Sequence, residues 1–141
     1  INPFDLRSMK MNKKKYTIAQ ILPALNTGGG ERGVVEISKS LVENDFKSIV
    51  ISSGGHMVSQ ITRNGGIHYE LDVATKNPLK WPKIRSELKR NLESENVDLI
   101  HFCSRAPAWI GVPLGAILDI PIITSVHMRF RKSNFFKKCN I

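Results

Sequence analysis

The stretch "YTIAQILPALNTGGGERGVVEISKSLVEN", Tyr16 to Asn44, decides the fold. Its opening, Tyr16–Pro23, alternates and then runs apolar, the pattern of a strand buried on both faces. Its close, Glu31–Asn44, sets Val34, Ile37 and Leu41 beside Val35, Ser38 and Val42, which is helical spacing with one apolar face. Between them three consecutive glycines, Gly28, Gly29 and Gly30, are followed at once by an acid and a base.

The alternation continues outward. Lys47–Ser52 is a short β-branched run ended by Ser53-Gly54-Gly55. Met57–Asn64 predicts a short helix stopped by Gly65-Gly66, residues suited to a left-handed C-cap. Ile67–Leu71 reads as a third strand. Trp81–Asn96 reads as a helix with Ile84, Leu88 and Leu92 on one face and Pro82 in its first turn. Val97–Cys103 is a fourth strand, Ala106–Asp119 a buried helix that Pro113 should kink or interrupt, and Ile120–Val126 a fifth strand. Trp109, on a helix of small apolar residues, is expected in the core. Strands and helices in strict alternation, with short connections, imply α/β architecture: a single Rossmann-like domain with a parallel sheet of about five strands.

The 141 residues suffice for one domain with a real core, and 41% hydrophobic with 23% charged residues is ordinary for a soluble globular chain. The formal charge is +9, but it is unevenly placed. Residues 1–15 hold five Lys/Arg and one acid, and residues 129–141 hold five Lys/Arg and no acid, so the body between has equal numbers of both signs. Basicity confined to the tails argues against a nucleic-acid-binding face on the folded part. The expected organisation is a basic extension over 1–14, the domain over 15–128 and a basic tail over 129–141. Cys103 and Cys139 are far apart with no metal spacing, which suits a reduced, cytoplasmic setting. Residues 1–15 lack the apolar segment of a signal peptide. The longest apolar stretch, Ala106–Leu118, falls short of the about 20 residues a membrane span needs.

In an open parallel sheet, ligands bind at the carboxyl ends of the strands where strand order reverses, and the first strand usually borders that point. Glycines let backbone approach a ligand, and the helix that follows offers unpaired N–H groups with partial positive charge. A phosphate or diphosphate is the natural guest; a flexible turn with packing duties is the plain alternative. Gly28, Gly30 and Gly33 also satisfy the spacing G-x-G-x-x-G, but a dinucleotide site wants an acid about 20 residues on, and the chain offers Ser52 and Ser53 there. A nucleotide-triphosphate loop lacks its Gly-Lys-Ser/Thr.

"ILPALNTGGGERGVVEISKSLVENDFKSIVIS", with "SGGHMVSQI", "DLIHFCSRAPAW" and "PIITSVH", resembles the N-terminal domain of GT-B glycosyltransferases of the large family four, which build lipopolysaccharide and other bacterial glycans. The resemblance covers roughly residues 16–127. It implies two Rossmann-like domains facing a cleft, the N-terminal one holding mainly the acceptor and the C-terminal one the nucleotide-sugar, with retention of configuration and no metal. On that reading Gly28, Gly29 and Gly30, with Arg32 beside them, approach the donor's diphosphate and stabilise the leaving nucleoside diphosphate. His127 would line the sugar site as the catalytic-site histidine, although Met128 departs from the small residue usual after it. Ser104 and Arg105 would hold an anionic acceptor, such as a phosphorylated core sugar or lipid; a surface salt bridge is the alternative for Arg105. His101 reads as a satisfied core or loop-facing histidine, and Glu31 as an acid favoured by the helix dipole. His56 and His68 have no partner at a recognisable spacing. No cofactor is implied beyond the nucleotide-sugar as co-substrate.

The expected function is thus the acceptor-side half of a glycosyltransferase, acting on a glycan or lipid-linked saccharide acceptor in the cytoplasm at the inner face of the membrane. The basic tails, with Phe130, Phe135 and Phe136, would give peripheral membrane contact. With no donor-binding domain in its length, the chain is expected to be truncated or split, inactive alone and in need of a separate C-terminal-half chain. Rival readings are a non-catalytic glycan- or phosphate-binding module and a small dinucleotide-dependent oxidoreductase.

Overall fold

The computed structural model describes residues 15–125. Along them run β1 (Thr17–Ile21), α1 (Gly29–Glu43), β2 (Lys47–Ser52), α2 (Val58–Arg63), β3 (Ile67–Glu70), α3 (Trp81–Ser94), β4 (Leu99–Phe102), α4 (Arg105–Leu118) and β5 (Ile122–Thr124), with one 3₁₀ turn, Pro78–Lys80, leading into α3. Every strand pairing is parallel and the order across the sheet is β3-β2-β1-β4-β5. This is the expected Rossmann-like sheet. Its order reverses between β1 and β4, so the glycine turn leaves β1 at the switch point.

Strand periodicity divides the core in two. Ala19, Ile21, Ile49, Ile51, Ile100 and Phe102 face α3 and α4, where they meet Ile84, Leu88, Leu92, Ile110 and Leu114. Val50 and Leu22 face α1 and α2, packing with Val34, Val35, Met57 and Ile61. Helix α4 lies close on the sheet because Gly111 and Gly115 carry no side chain there; a Cβ at Gly111 would stand 2.5 Å from the Phe102 ring. Helix α2 ends as expected, with Gly65 at φ +88° and Gly66 N–H donating to the Ile61 carbonyl at 2.9 Å, a Schellman-type stop.

Three local expectations are corrected. Helix α1 begins at Gly29 rather than Glu31, so two of the glycines form its first turn. Helix α4 runs unbroken through Pro113. That ring sits on the exposed side, and Arg85 of α3 braces the same stretch by donating to the Ile110 carbonyl at 2.8 Å. Trp109 is not in the core. It is 73% exposed, because α4 turns Ile110, Gly111 and Leu114 to the sheet and leaves Trp109 on the opposite side.

Candidate functional site

A cleft of about 380 Å³ opens at the switch point, lined by Leu22, Pro23 and Ala24 after β1, by Thr27, Gly28, Gly30 and Glu31 entering α1, and by Cys103, Ser104 and Arg105 after β4. Two helix N-termini flank it. Gly28 is the N-cap of α1 and Ser104 the N-cap of α4, and neither terminus carries a side-chain capping bond. Ser104 is a residue type that caps well, yet its hydroxyl does not do so here. First-turn N–H groups on both flanks therefore lack a side-chain acceptor, and partial positive charge gathers on the cleft from two directions.

The loop from β1 to α1 is held by the loop after β2. Ser53 N–H donates to the Pro23 carbonyl at 3.0 Å, Leu25 N–H to the Gly54 carbonyl at 2.8 Å, and Met57 N–H to the Leu25 carbonyl at 2.8 Å. Gly55, at φ +143°, packs its backbone against Leu25, where any side chain would collide. Beneath this zipper the fully buried Ser52 accepts from Gly54 N–H at 3.1 Å and bonds His68 Nε2 at 2.7 Å. Burial holds the His68 pKa below its ordinary value, with Glu70 opposing that shift. A neutral imidazole accepting from the Ser52 hydroxyl accounts for the geometry.

Gly29 and Gly30 explain the glycine run. A Cβ at either would meet nothing within 4 Å, and neither has a positive φ, so no packing or conformational need within the described residues demands glycine there. At Gly28 a side chain would run into the Glu31 carboxylate, which folds back over it. Glu31 Oε2 is buried with no hydrogen-bond partner among the described residues. An acceptor-only group thus lies at the mouth of a donor-rich helix start.

Of the predicted site residues, Gly28, Gly30, Ser104 and Arg105 come together around this cleft. Gly29 stands in the same turn, and Arg32 is exposed on α1 outside the lining. His127 and both basic tails lie outside the described residues. His101 is satisfied: its Nε2 pairs with Ser125 Oγ at 2.8 Å and Cys103 Sγ lies 3.7 Å from its Nδ1. Burial pushes the Cys103 thiol up to about 12, so a neutral thiol borders the cleft. Sequence reasoning missed the Ser52–His68 pair, whose members meet only through the β2–β3 register. Among the described residues no three His, Cys, Asp or Glu side chains gather to hold a metal ion, and no helix is long and apolar enough to cross a membrane.

A parallel 3-2-1-4-5 sheet with an open rim at its switch point is a Rossmann-like arrangement. The profile of glycosyltransferase family 4 matches residues 27–139, and the chain belongs to that family. A glycosyltransferase structure from Rickettsia africae ESF-5 is 33% identical with a TM-score of 0.74, over 89% of this chain and 33% of that one. MurG of Acinetobacter baumannii is 16% identical with a TM-score of 0.63, over 79% and 35%. The calicheamicin glycosyltransferase CalG4 is 13% identical with a TM-score of 0.54, over 89% and 36%. The last two establish likeness of fold alone. The chain spans about a third of the length of these structures. No curated protein matches it significantly.

Proposed function

We propose that this chain is the acceptor-side lobe of a glycosyltransferase that moves a sugar from a nucleotide-sugar to a lipopolysaccharide or related envelope-glycan acceptor at the inner face of the cytoplasmic membrane. The observation that carries the reading is the bare first turn of α1. Gly29 and Gly30 have no role inside the described fold, yet they start an uncapped helix at the switch-point cleft. Their N–H groups suit the diphosphate of a donor delivered by a second lobe across the cleft. Charge grows on that diphosphate as the sugar departs, and fixed amide donors stabilise it without reorganising. Arg32, one residue beyond the glycine turn and its acid, adds a cation nearby. Glu31 must swing from Gly28 towards solvent for the diphosphate to enter, because two anions cannot share one helix start.

Ser104 and Arg105 serve the opposite flank, where the guanidinium suits an anionic group on the acceptor. His127 is assigned to the sugar site by resemblance. The test is a transfer assay with labelled nucleotide-sugars. The expected result is transfer only when a donor-binding lobe accompanies this chain, falling about tenfold or more with Arg105→Gln, the loss of one charge-assisted hydrogen bond. Robust transfer by the 141-residue chain alone would contradict the half-site reading.

A further inference from the structure

We infer that Ser52 and His68 are positioning residues for the switch-point cleft: the hydrogen bond between them latches the loop that braces the cleft wall, and a proton on His68 releases the latch and weakens diphosphate binding. This rests on the diphosphate reading above and adds a regulation of that same site.

The latch begins where β2 ends. Ser52 closes that strand and is fully buried. Gly54 and Gly55 follow shortly after, and both take positive φ, +97° and +143°. Glycine has the widest choice of backbone conformation, so hydrogen bonds must select this one. Ser52 Oγ accepts from Gly54 N–H at 3.1 Å and fixes the first of the pair. The loop so fixed grips the loop after β1. Ser53 donates to the Pro23 carbonyl twice, from its N–H at 3.0 Å and from its hydroxyl at 2.7 Å, and the Gly54 carbonyl accepts from Leu25 N–H at 2.8 Å. Pro23 lines the cleft between Leu22 and Ala24. A short chain of hydrogen bonds thus runs from His68 to the cleft wall.

His68 holds the far end of that chain, with Nε2 2.7 Å from Ser52 Oγ. Glu70, two residues further along β3, is the register partner of Ser52, and its carboxyl carbon lies 3.8 Å from where a Cβ at Gly54 would stand. With the imidazole neutral, Nε2 accepts the Ser52 proton and the serine oxygen still accepts from Gly54 N–H. Protonation makes Nε2 a donor. The Ser52 hydrogen then loses its acceptor in a buried place, or the imidazolium turns to Glu70 and leaves Ser52 behind. Either course makes the capped loop less stable.

The elements packed against β3 leave Glu70 as the charge that acts on His68 among the described residues. On β2, Val50 is the register partner of His68, and Lys47, at the opposite end, is bound to Glu95. On α2 the ionisable residue is Arg63, exposed in the last turn, and His56 in the loop before α2 is exposed as well. Burial favours the neutral imidazole over the attraction of Glu70, so the latch is closed at neutral pH and opens as the medium turns acid.

The test follows the full 141-residue chain by NMR from neutral pH to well below 6.5, first alone and then with uridine diphosphate. Without ligand, the His68 ring and the amides of Ser53, Gly54 and Leu25 are expected to titrate with one midpoint. His68→Gln sets an amide oxygen that does not titrate at the place of Nε2, and the loop amides should then hold still. With ligand, affinity relative to that of His68→Gln should fall about tenfold as His68 charges, the worth of one hydrogen bond. The ligand's own protonation is common to both proteins and cancels in that ratio. Ser52→Ala should weaken binding at neutral pH and abolish the pH dependence of the ratio; the His68 substitution carries the test by itself if Ser52→Ala does not fold. A His68 ring that titrates while the loop amides stay in place overturns the latch, as does a ring that stays neutral throughout. Saturable binding with a ratio that ignores pH also overturns the latch and leaves the diphosphate reading intact. Loop amides that follow His68 without uridine diphosphate binding at any pH uphold the latch on the loop and remove the diphosphate reading.

Discussion

The two faces of the sheet are built from different materials. Among the described residues, α3, α4 and the sheet face they cover bury fourteen apolar residues together, among them Phe102, Leu88 and Ile110, whereas α1, α2 and the opposite face bury seven. The second face also buries polar groups: Gln20, whose Nε2 reaches the Val34 carbonyl at 3.4 Å, the Ser38–Ser48 pair at 2.7 Å, and Ser52. Gln20 Oε1 has no hydrogen-bond partner among the described residues. Dispersion and burial hold α3 and α4. Helix α1, which carries the glycine turn into the cleft, is seated partly on directional bonds, each worth little net and costly to break on one side. One layer anchors the fold and the other positions the backbone that lines the switch-point cleft.

That contrast predicts a graded series. Phe102→Ala removes the largest fully buried side chain of the anchoring layer and should cost about 3–5 kcal/mol of stability, read by denaturant unfolding; a loss below about 1 kcal/mol would mean the layers do not differ as described. Ser38→Ala leaves Ser48 buried without its partner and should cost about 1–3 kcal/mol. The Ser38→Ala/Ser48→Ala double variant should cost less than the two single losses summed, a coupling that a double-mutant cycle measures directly.

Gly30→Ala separates stability from function. Open space around Gly30 and its helical backbone predict a gain of about 0.5–1 kcal/mol from helix propensity, together with weaker nucleoside diphosphate binding by calorimetry. Destabilisation instead would show that the glycine has a packing duty.

The smallest effect is on pH. His68 has a folded pKa below its unfolded value of 6.5, so the unfolded state binds the proton more readily. Its contribution is present above that value and is lost as pH falls through the lowered folded pKa. His68→Asn should flatten this acid limb of the stability–pH curve. An unchanged limb would remove His68 from the account of the rim.

Much of the fold was legible because parallel strands buried on both faces write continuous apolar runs, and Tyr16–Pro23 and Lys47–Ser52 do so plainly. A turn at Gly28 was legible because glycines between a strand and a helix mark the chain reversal, whereas the entry of Gly29 and Gly30 into α1 was not. Helix α4 was misread at Trp109 for a physical reason. A helix apolar on all sides has no preferred face in its own sequence, and only the close approach of Gly111 and Gly115 to the sheet decides which side is buried. The Ser52–His68 bond was invisible for a related reason: parallel strands bring together residues 16 positions apart through a register that no short spacing encodes. That Ser104 stands at the start of α4 with its hydroxyl unused as a cap is a three-dimensional fact.

The central claim is that backbone amides at the start of α1 form a diphosphate site at the β1–β4 switch point. A ¹⁵N-resolved NMR titration of the 141-residue chain with a nucleoside diphosphate tests it most directly. The account predicts saturable shifts led by the amides of Gly28 to Arg32, with smaller ones at Ser104 and Arg105. Absence of shifts at saturating ligand, or shifts confined to residues away from this rim, would contradict it.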